Sequence, residues 1–462
     1  QCRTTQADED GIVLGLIIME QAANYSSPSS VLPGYQAQLN EDGVRHSEEK
    51  LNASANDLMD LKDEGGEPII TNRNILHLQP CTRHEETVGY RCKCTFQIIT
   101  DESVEGECAG VLKYAMRSQH QVIPLQSTAF DIANARIQQV MSKLICTLNE
   151  DIARGTQNFC DIRINLTSST FVSSWDERQC IVTLHYSAPF QCVHKWKEQA
   201  EVLIDECSLI DIELNVCFIG RSKGVKIIAT GKGEEPTDCD INVSDEIWVR
   251  GERIKYEKPE GAFQHPNPRV MYHALEWILD CVENIKKQTE HCSERPVRLL
   301  EMYSGCGAHT MVMGNKMIGA FNKIVAVELD KRLADSCIHN CILNGVEDIV
   351  RVIQGDAGEY ARKCVAKKTN DESWWHQEYG LLLVDPPRQG LDEHVCALAL
   401  SGTFQHMLYI SCGRLALQRD ILRLHNRFEV VSCVLLDLFP RTDAIETLVH
   451  LKRRPEKIPP VC

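Results

Sequence analysis

Short apolar runs in the second half of the chain end in residues that could bind a ligand. The first run lies in Leu299-Leu-Glu-Met-Tyr-Ser-Gly-Cys-Gly-Ala-His309, which carries Gly305 and Gly307. Glycines let the backbone turn tightly and approach a ligand, and a helix that follows presents free N–H groups. An ordinary turn between a strand and a helix has the same pattern. The glycines therefore indicate a binding site only together with their neighbours.

Two carboxylates follow the next apolar runs. Glu328 follows Gly307 by about 20 residues, the spacing at which a carboxylate accepts hydrogen bonds from a ribose diol. Asp356 ends the third run, where a side chain can meet an adenine ring. The glycine turn lacks the full G-x-G-x-x-G of a dinucleotide site. These positions predict a nucleoside cofactor, and S-adenosylmethionine fits them better than a dinucleotide.

A thiol and a rigidly held acid follow the later runs. Cys412 ends an apolar run just ahead of a predicted helix, and the helix N-terminus and Arg414 are expected to lower its pKa. A lowered thiol pKa is the condition for a cysteine nucleophile. Asp385 leaves its run into two prolines, which restrict its backbone. A buried structural cysteine and a proline stop after a strand are the simpler explanations of these two features.

Strands and helices that alternate after Gly261 must position these residues. Predicted strands cover Val297–Met302, Lys323–Val327, Val350–Gln354, Gly380–Val384, Met407–Ser411 and Val430–Leu438. Predicted helices cover Val270–Lys286, Thr310–Ile318, Lys331–Asn344, Gly358–Ala366, Glu393–Ser401 and Leu415–Asn426. Apolar strands separated by helices predict an α/β fold, a parallel sheet covered on both faces, with ligands at the carboxyl ends of the strands.

The preceding region has a different pattern. Short alternating runs such as Thr95–Ile99, Ile181–His185 and Val225–Ala229 predict antiparallel strands, with helices near Thr128–Asn149 and His194–Ile210 between them. The acidic block Glu41–Glu67 is typical of a solvated or loosely ordered surface segment. We therefore expect three parts: an acidic N-terminal segment (1–75), an α+β domain (76–250) and an α/β domain (251–462).

Composition excludes several classes of protein. With 462 residues, 43% hydrophobic and 25% charged, the chain matches a globular protein rather than a disordered or membrane protein. Its net charge of −16 disfavours a general nucleic-acid coat protein but not a shaped RNA pocket. The 22 cysteines show no C-x-x-C pair and no zinc spacing, so we expect reduced, intracellular thiols. Cys337 and Cys341, on a predicted helix, are expected to pack in the core.

Three motifs together resemble the RNA 5-methyluridine methyltransferase family. They are Asp385-Pro-Pro-Arg-Gln-Gly-Leu391, Tyr409-Ile-Ser-Cys412 followed by Leu417-x-Arg-Asp420, and Phe439-Pro-Arg-Thr-Asp-Ala-Ile-Glu446. The resemblance implies that Cys412 is the nucleophile and Glu446 the general base. The chain is more similar to the eukaryotic tRNA enzymes of the family than to the bacterial iron-sulfur rRNA enzymes, whose cysteine cluster it lacks.

The resemblance also implies a fold and a set of binding residues. A Rossmann-like S-adenosylmethionine-dependent methyltransferase domain would follow an α+β RNA-recognition domain. The cofactor would be bound by Gln264, Tyr303, Gly305, Ala308, Glu328 and Asp385. The RNA would meet Arg388, and also Tyr90, Arg91, Lys93 and Phe96 of a segment similar to the family's Gly-Tyr-Arg-Asn-Lys. We expect RNA, with tRNA favoured, as partner, and no metal, iron-sulfur cluster, membrane or obligate protein partner. Cytoplasm or nucleus is favoured over mitochondrion.

The same residues leave alternatives open. The family's usual Ser-Cys-Asn-Pro is Ser411-Cys-Gly-Arg414 here, its His-Val-Glu is Ala444-Ile-Glu446, and Ala308 replaces a polar residue. One alternative is an rRNA uracil-5-methyltransferase. Another is a catalytically weakened RNA-binding or folding factor on the same scaffold. The presence of both Cys412 and Glu446 favours an enzyme, because a pure binder needs neither.

Overall fold

A computed structural model gives the fold of the chain. It describes residues 33–71, 74–79, 87–100, 110–117, 122–128, 130–211, 213–231, 241–263, 265–289, 298–315, 321, 323–366, 380–440 and 442–455. The helices within these residues are α1 (Pro33–Met59), α2 (Ala135–Ala153), α3 (Cys160–Arg163), α4 (Val193–Ser208), α5 (Pro268–Thr289), α6 (Ala308–Gly314), α7 (Lys331–Leu343), α8 (Ala357–Val365), α9 (Glu393–Leu400) and α10 (Arg414–Leu424). None of these described helices is long and apolar enough to cross a membrane.

An eight-stranded sheet organises the second half of the chain. Its strands are β1 (Ile75–Gln79), β11 (Arg298–Met302), β12 (Lys323–Glu328), β13 (Val350–Gln354), β14 (Gly380–Val384), β15 (Phe404–Ser411), β16 (Phe428–Leu436) and β17 (Glu446–Arg453). They lie in the order β1-β16-β17-β15-β14-β11-β12-β13. The six strands predicted after Gly261 are confirmed, with small shifts at their ends. Strands β1 and β17 complete the sheet.

Strand β17 is the exception to the expected parallel sheet. It lies between β15 and β16 and runs antiparallel to both, whereas the other neighbouring strands run parallel. A short loop can connect β16 to β17 because antiparallel neighbours need no crossover helix. As a result, the beginning of β17 lies beside the carboxyl end of β15.

Helices cover both faces of this sheet, as expected. One face packs against α1, α8, α9 and α10, and the other against α5, α6 and α7. Cys337 and Cys341 of α7 are buried in the second of these cores, as predicted. The sheet interior is therefore dry, and polar groups can meet a ligand at its edges.

The N-terminal acidic block is built into this core, contrary to our expectation of a solvated or loosely ordered segment. Helix α1 buries Leu51, Ala55 and Leu58 against the sheet, while Glu48 and Glu49 face solvent. Spacings of three and four residues place the three apolar side chains on one helix face, and the acids occupy the other. Strand β1 then joins the sheet beside β16. Residues 33–71 and 74–79 therefore belong to the α/β unit.

A seven-stranded sheet forms the α+β unit. Its strands are β2 (Lys93–Thr100), β3 (Leu112–Arg117), β4 (Val122–Pro124), β5 (Leu166–Ser173), β6 (Gln179–Tyr186), β7 (Asn215–Ser222) and β8 (Val225–Ala229), in the order β4-β3-β2-β5-β6-β7-β8. The pairs are antiparallel as predicted, except that β6 and β7 are parallel. Helix α4 connects those two strands, and a parallel pair needs such a crossover.

The expected boundary between residues 250 and 251 falls inside a hairpin. Strands β9 (Val243–Val249) and β10 (Glu252–Lys258) pair on either side of it. The apolar residues of this hairpin, including Ile254 and Tyr256, pack in the same core as α5 and α7. Most of the hairpin therefore belongs with the α/β unit, whereas Val243 at the start of β9 packs against Ile181 and Cys217 of the α+β unit.

Candidate active site

The predicted nucleophile and base meet at one edge of the eight-stranded sheet. Ser411 at the end of β15 pairs with Thr447 on the antiparallel β17. Cys412 follows Ser411 and Glu446 precedes Thr447, so the strand register brings the two side chains to neighbouring positions. Glu446 is buried, with 5% of its surface exposed, whereas Cys412 is partly open. The antiparallel insertion of β17 thus creates the pair.

A cavity of about 410 Å³ opens beside Cys412. Arg388 and Cys412 line it from the sheet edge, and Ile445 and Thr447 flank Glu446 along its wall. Ser54 and Leu58 of α1 contribute the opposite wall. The N-terminal helix, to which the sequence had suggested no role, therefore helps to enclose the candidate catalytic pocket. A cavity of this size is in the range of small-molecule sites.

The electrostatics of the thiol differ from the expectation. Burial raises the pKa of Cys412 to about 12, with Glu446 and Asp385 adding to the rise and Arg388 opposing it. The predicted lowering by Arg414 is wrong, because the Arg414 guanidinium points away to Asp57 of α1, at 2.9 Å. The thiol is thus protonated in the free protein, and Arg388 is the cation that favours its thiolate.

The two acids beside the thiol also favour their neutral forms. Burial raises the pKa of Glu446 well above its usual value, and Asp385 raises it further. Burial likewise raises the pKa of Asp385 to about 6, against the opposing effect of His309. His309 lies 3.5 Å from Glu301, and although burial lowers its pKa, the carboxylates of Glu301 and Asp385 together raise it by more. Burial therefore makes both carboxylates stronger proton acceptors than they would be in water.

The loop that carries Asp385 and Arg388 is fixed from α10. Asp420 is fully buried, and its Oδ2 accepts hydrogen bonds from the Leu391 backbone N–H and the Tyr409 hydroxyl, each at 2.8 Å. Arg419 donates to the Gln389 carbonyl at 2.8 Å. The sequence motif singled out Asp420 without giving it a task. Its task in the structure is to hold the loop against the strand that ends in Cys412.

Gly413 lets that loop approach the nucleophile closely. A Cβ atom at this position would lie 2.3 Å from the Arg388 carbonyl oxygen. No side chain tolerates such a contact without a backbone shift. Glycine in place of the family's usual asparagine is therefore matched to the close passage of Arg388 in this chain.

The neighbouring edge, at the ends of β11 and β12, fits a nucleoside. Tyr303 has a φ of 65°, a left-handed conformation rare for a bulky residue and typical of functional sites. A Cβ on Gly305 would meet no atom of the described residues within 4 Å, so none of them fills the space above the turn. The Ser304 hydroxyl is buried and has no hydrogen-bond partner in the part of the chain that the structure describes. An orphaned hydroxyl beside an open glycine turn suits a polar ligand.

Glu328 faces this turn from β12. Its carboxylate accepts hydrogen bonds from the Gly305 N–H at 2.9 Å and the Asp330 N–H at 2.8 Å. Each carboxylate oxygen has a second lone pair, which leaves acceptor capacity for a ribose diol. Asp356, by contrast, caps α8 by accepting from the Glu359 N–H, so part of its capacity is used within the fold.

The other predicted cofactor residues are less informative. Ala308 begins α6, and its carbonyl accepts the Tyr256 hydroxyl at 2.8 Å. Gln264 lies outside the described residues. Among the described residues, no group of three or more His, Cys, Asp and Glu side chains could hold a metal ion.

The predicted RNA contacts of the α+β unit need correction. Phe96 is 2% exposed and packs between Tyr114 and Phe171, so no ring face is left for a base. Tyr90 is 3% exposed and donates to the Pro440 carbonyl at 3.1 Å. The burial of these two aromatics excludes them as stacking platforms in this conformation.

The two basic residues of that segment are partly exposed and are hydrogen-bonded within the fold. Lys93 donates to the Ala262 carbonyl at 3.0 Å, and Arg91 donates to the Lys93 carbonyl at 3.0 Å. The Cys92 N–H donates to the Pro266 carbonyl. This segment is therefore a seam that ties the α+β unit to the α/β unit.

Comparison with known proteins gives a consistent result. The family model described as tRNA (Uracil-5-)-methyltransferase matches residues 82–454. The chain is 28% identical over 370 residues to a tRNA/tmRNA (uracil-C(5))-methyltransferase of Pseudomonas paraeruginosa, covering 79% of this chain and 88% of that one. It is 30% identical over 334 residues to the protein of the same name from Azotobacter vinelandii, covering 72% and 80%.

A solved structure supports the fold. The crystal structure of Pyrococcus abyssi tRNA (uracil-54, C5)-methyltransferase in complex with S-adenosyl-L-homocysteine matches with a TM-score of 0.55 and 14% sequence identity. The match covers 88% of this chain and 84% of that one. At this identity the likeness carries the fold alone. It agrees with the expected Rossmann-like domain joined to an α+β domain.

Proposed function

This chain belongs to the tRNA (uracil-5-)-methyltransferase family, and from that premise we propose that it methylates a tRNA uridine through a covalent bond to Cys412. It is an S-adenosylmethionine-dependent RNA uracil-C5 methyltransferase. The observation that supports the mechanism is the register of β15 and β17, which brings Glu446 next to Cys412, a residue that lines the cavity. With transfer RNA as the proposed substrate, we infer that the protein acts inside the cell.

Uracil C5 is a weak nucleophile, so the chain must activate it. The Cys412 thiol first loses its proton to solvent at its partly open position. The thiolate sulfur then adds to C6, and the π-electron pair of the C5–C6 bond becomes available at C5 to attack the methyl group. Arg388 is the cation that favours the thiolate, and its position in the cavity also suits the uracil carbonyl or an RNA phosphate. S-adenosylmethionine, when bound, supplies the methyl group. The open glycine turn, Ser304 and Glu328 are the residues suited to hold it.

Glu446 completes the reaction. After C5 has gained its methyl group, its proton must leave before the thiolate can be expelled. The carboxylate of Glu446 is positioned to take that proton, because it adjoins Cys412 across the strand pair. Its raised pKa makes it a strong proton acceptor when ionised, and burial keeps water from competing. The target uridine must leave its stack to enter the cavity, as for other enzymes that act on bases.

A trapping experiment tests this order of events. With tRNA that contains 5-fluorouridine, the wild-type protein should form a complex that survives a denaturing gel, because fluorine at C5 cannot leave as a proton. Cys412→Ala should form neither adduct nor product. Glu446→Gln should accumulate a methylated covalent complex with ordinary tRNA, since addition and methyl transfer precede its step.

The same experiment separates the alternatives. Tight binding of fluorinated tRNA without any adduct would reject the covalent mechanism in favour of an RNA-binding factor. Adduct formation with ribosomal RNA fragments rather than tRNA would reject the substrate. Cys396→Ala is a matched control, because Cys396 is a buried thiol on α9 and should leave trapping unchanged.

A further inference from the structure

Helix α1 sends one lysine into the wall of the active site. Lys50 is 8% exposed, and its Nζ lies 2.6 Å from Oδ1 of Asp437, which is fully buried. The Ser47 hydroxyl, one turn earlier, donates to Oδ2 of the same carboxylate at 2.5 Å. A buried lysine paired with a buried aspartate adds little stability by itself, because removing both charges from water offsets their attraction. A role in positioning neighbouring groups accounts better for its presence.

The ammonium group also binds the loop that leads to the general base. Lys50 Nζ lies within hydrogen-bond distance of the carbonyls of Phe439 at 3.0 Å, Thr442 at 2.7 Å and Ala444 at 3.2 Å. These carbonyls belong to the connection between β16 and β17, and Glu446 is the first residue of β17. The Lys50 ammonium group is therefore a shared hydrogen-bond donor for three carbonyls of this loop.

Other contacts show how the loop is held. The Thr442 hydroxyl donates to the Phe439 carbonyl at 2.8 Å, and the Ala444 N–H donates to the Thr442 hydroxyl at 3.2 Å. These are local hydrogen bonds within the loop. Lys50 instead fastens the loop to α1, the helix whose Ser54 and Leu58 line the cavity. The lysine thus links two walls of the same pocket.

We propose that Lys50 is a positioning residue that sets the carboxyl of Glu446 relative to Cys412 through the carbonyls of this loop. The inference rests on the proposed role of Glu446 as the general base. Loss of the lysine would remove its hydrogen bonds to the three carbonyls, leaving the Thr442 hydroxyl on Phe439 and His46 near Thr442, and would let the start of β17 shift. A displacement of about 1 Å can cost up to roughly 100-fold in the rate of the affected step. The affected step would be proton removal from C5, after methyl transfer.

This role predicts a specific kinetic signature. Lys50→Met, in the full chain with S-adenosylmethionine and ordinary tRNA, should slow product release roughly 10- to 100-fold. Methyl transfer in a single turnover should change by less than about threefold. The variant should therefore accumulate a methylated covalent complex, as Glu446→Gln does. Lys50→Arg, which keeps the charge, should restore part of the release rate.

Controls make the outcome decisive. Arg45→Met removes a cation from an exposed ion pair on the same helix and should behave as the wild type. Equal slowing of methyl transfer and release in Lys50→Met would show a merely structural role and overturn the proposal, as would no slowing at all. If Glu446→Gln itself traps no complex, the proposed general base fails instead.

A second variant covers the case in which Lys50→Met does not fold. That substitution leaves the buried Asp437 carboxylate without its cation, which strongly destabilises a fold. The double variant Lys50→Met with Asp437→Asn removes both charges. It also removes the hydrogen bonds from Lys50 to the loop carbonyls, as the single variant does. It should show the same accumulation of covalent complex. Rapid release by a folded double variant would overturn the proposal.

Discussion

At the scale of one residue, Asp385 shows that a buried acid in the site lowers the stability of the fold. Burial raises the pKa of its carboxyl to about 6, although His309 opposes the rise. A carboxyl whose pKa is raised by folding stabilises the fold below the pKa of the unfolded chain, near 4. That contribution is lost as the pH rises through about 6. At neutral pH the protein therefore keeps an ionised or partly ionised acid where a neutral group would be more stable.

Asp385→Asn should consequently stabilise the protein at pH 8, by about 1 to 3 kcal/mol, and change little at pH 4.5. Thermal unfolding at the two pH values measures the difference. Asp335→Asn, which removes an exposed carboxylate on α7, should stay within about 0.5 kcal/mol at both. Destabilisation by Asp385→Asn at pH 8, or an equal gain in stability at both pH values, would contradict the raised pKa of the buried Asp385 carboxyl.

At the scale of elements, the distance between the Asp385–Leu391 loop and the end of β15 decides how the site is assembled. Gly413 is the point of closest approach, since a Cβ there would meet the Arg388 carbonyl. Gly413→Ala should destabilise the chain by about 1 to 3 kcal/mol and displace Arg388 from the cavity. Adduct formation with 5-fluorouridine tRNA should slow markedly.

Gly355→Ala provides the comparison, because a Cβ on Gly355 would meet no atom within 4 Å. Its unfolding midpoint should stay near that of the wild type. The family's usual asparagine would clash at position 413 as alanine does, so Gly413→Asn should impair this chain rather than improve it. Equal stability of Gly413→Ala and Gly355→Ala would show that the loop has room to move.

The elements also show how much of the fold and of the site could be predicted from the sequence. The apolar runs after Gly261 predicted six strands correctly, because strands buried on both faces have an unmistakable composition. The pair Cys412 and Glu446 came from motifs, since only motif resemblance pointed to a residue on an antiparallel last strand. Lys50 gave no signal, because its partners lie almost 400 residues away along the chain and charge in an acidic segment resembles any solvated surface. Phe96 was misplaced because alternation does not say which face of a strand is buried.

On the scale of the whole molecule, the N-terminal helix and the α/β unit form one cooperative structure. Leu51 is fully buried between α1 and the eight-stranded sheet. Leu51→Ala should destabilise this unit by about 2 to 5 kcal/mol, the usual range for a core leucine. Hydrogen exchange of β16 and β17 should speed up accordingly, because the helix covers that side of the sheet.

Leu209→Ala is the matched control for this prediction. Leu209 is 78% exposed beside α4, so its truncation should alter neither the unfolding midpoint nor the exchange of the large sheet. If Leu51→Ala leaves the exchange of β16 unchanged, α1 packs on the sheet without stabilising it. A fragment that begins near Glu252 would cut the β9–β10 hairpin and remove β1 and α1, so we expect it to aggregate rather than to bind cofactor.

Strand β1 has a consequence for how the chain reaches this structure. Ile75 pairs with Cys433, although the complete α+β unit and most of the α/β unit lie between them in sequence. Contacts between residues this far apart in sequence form late in folding. The entropy of closing a long loop must be lost before the strand pairing stabilises the chain. Until then β16 presents an open apolar edge, which is a template for association with other chains. During synthesis the polypeptide is therefore most prone to aggregation after β16 has been made and before β1 pairs with it. Chaperones that shield strand edges would act in that interval.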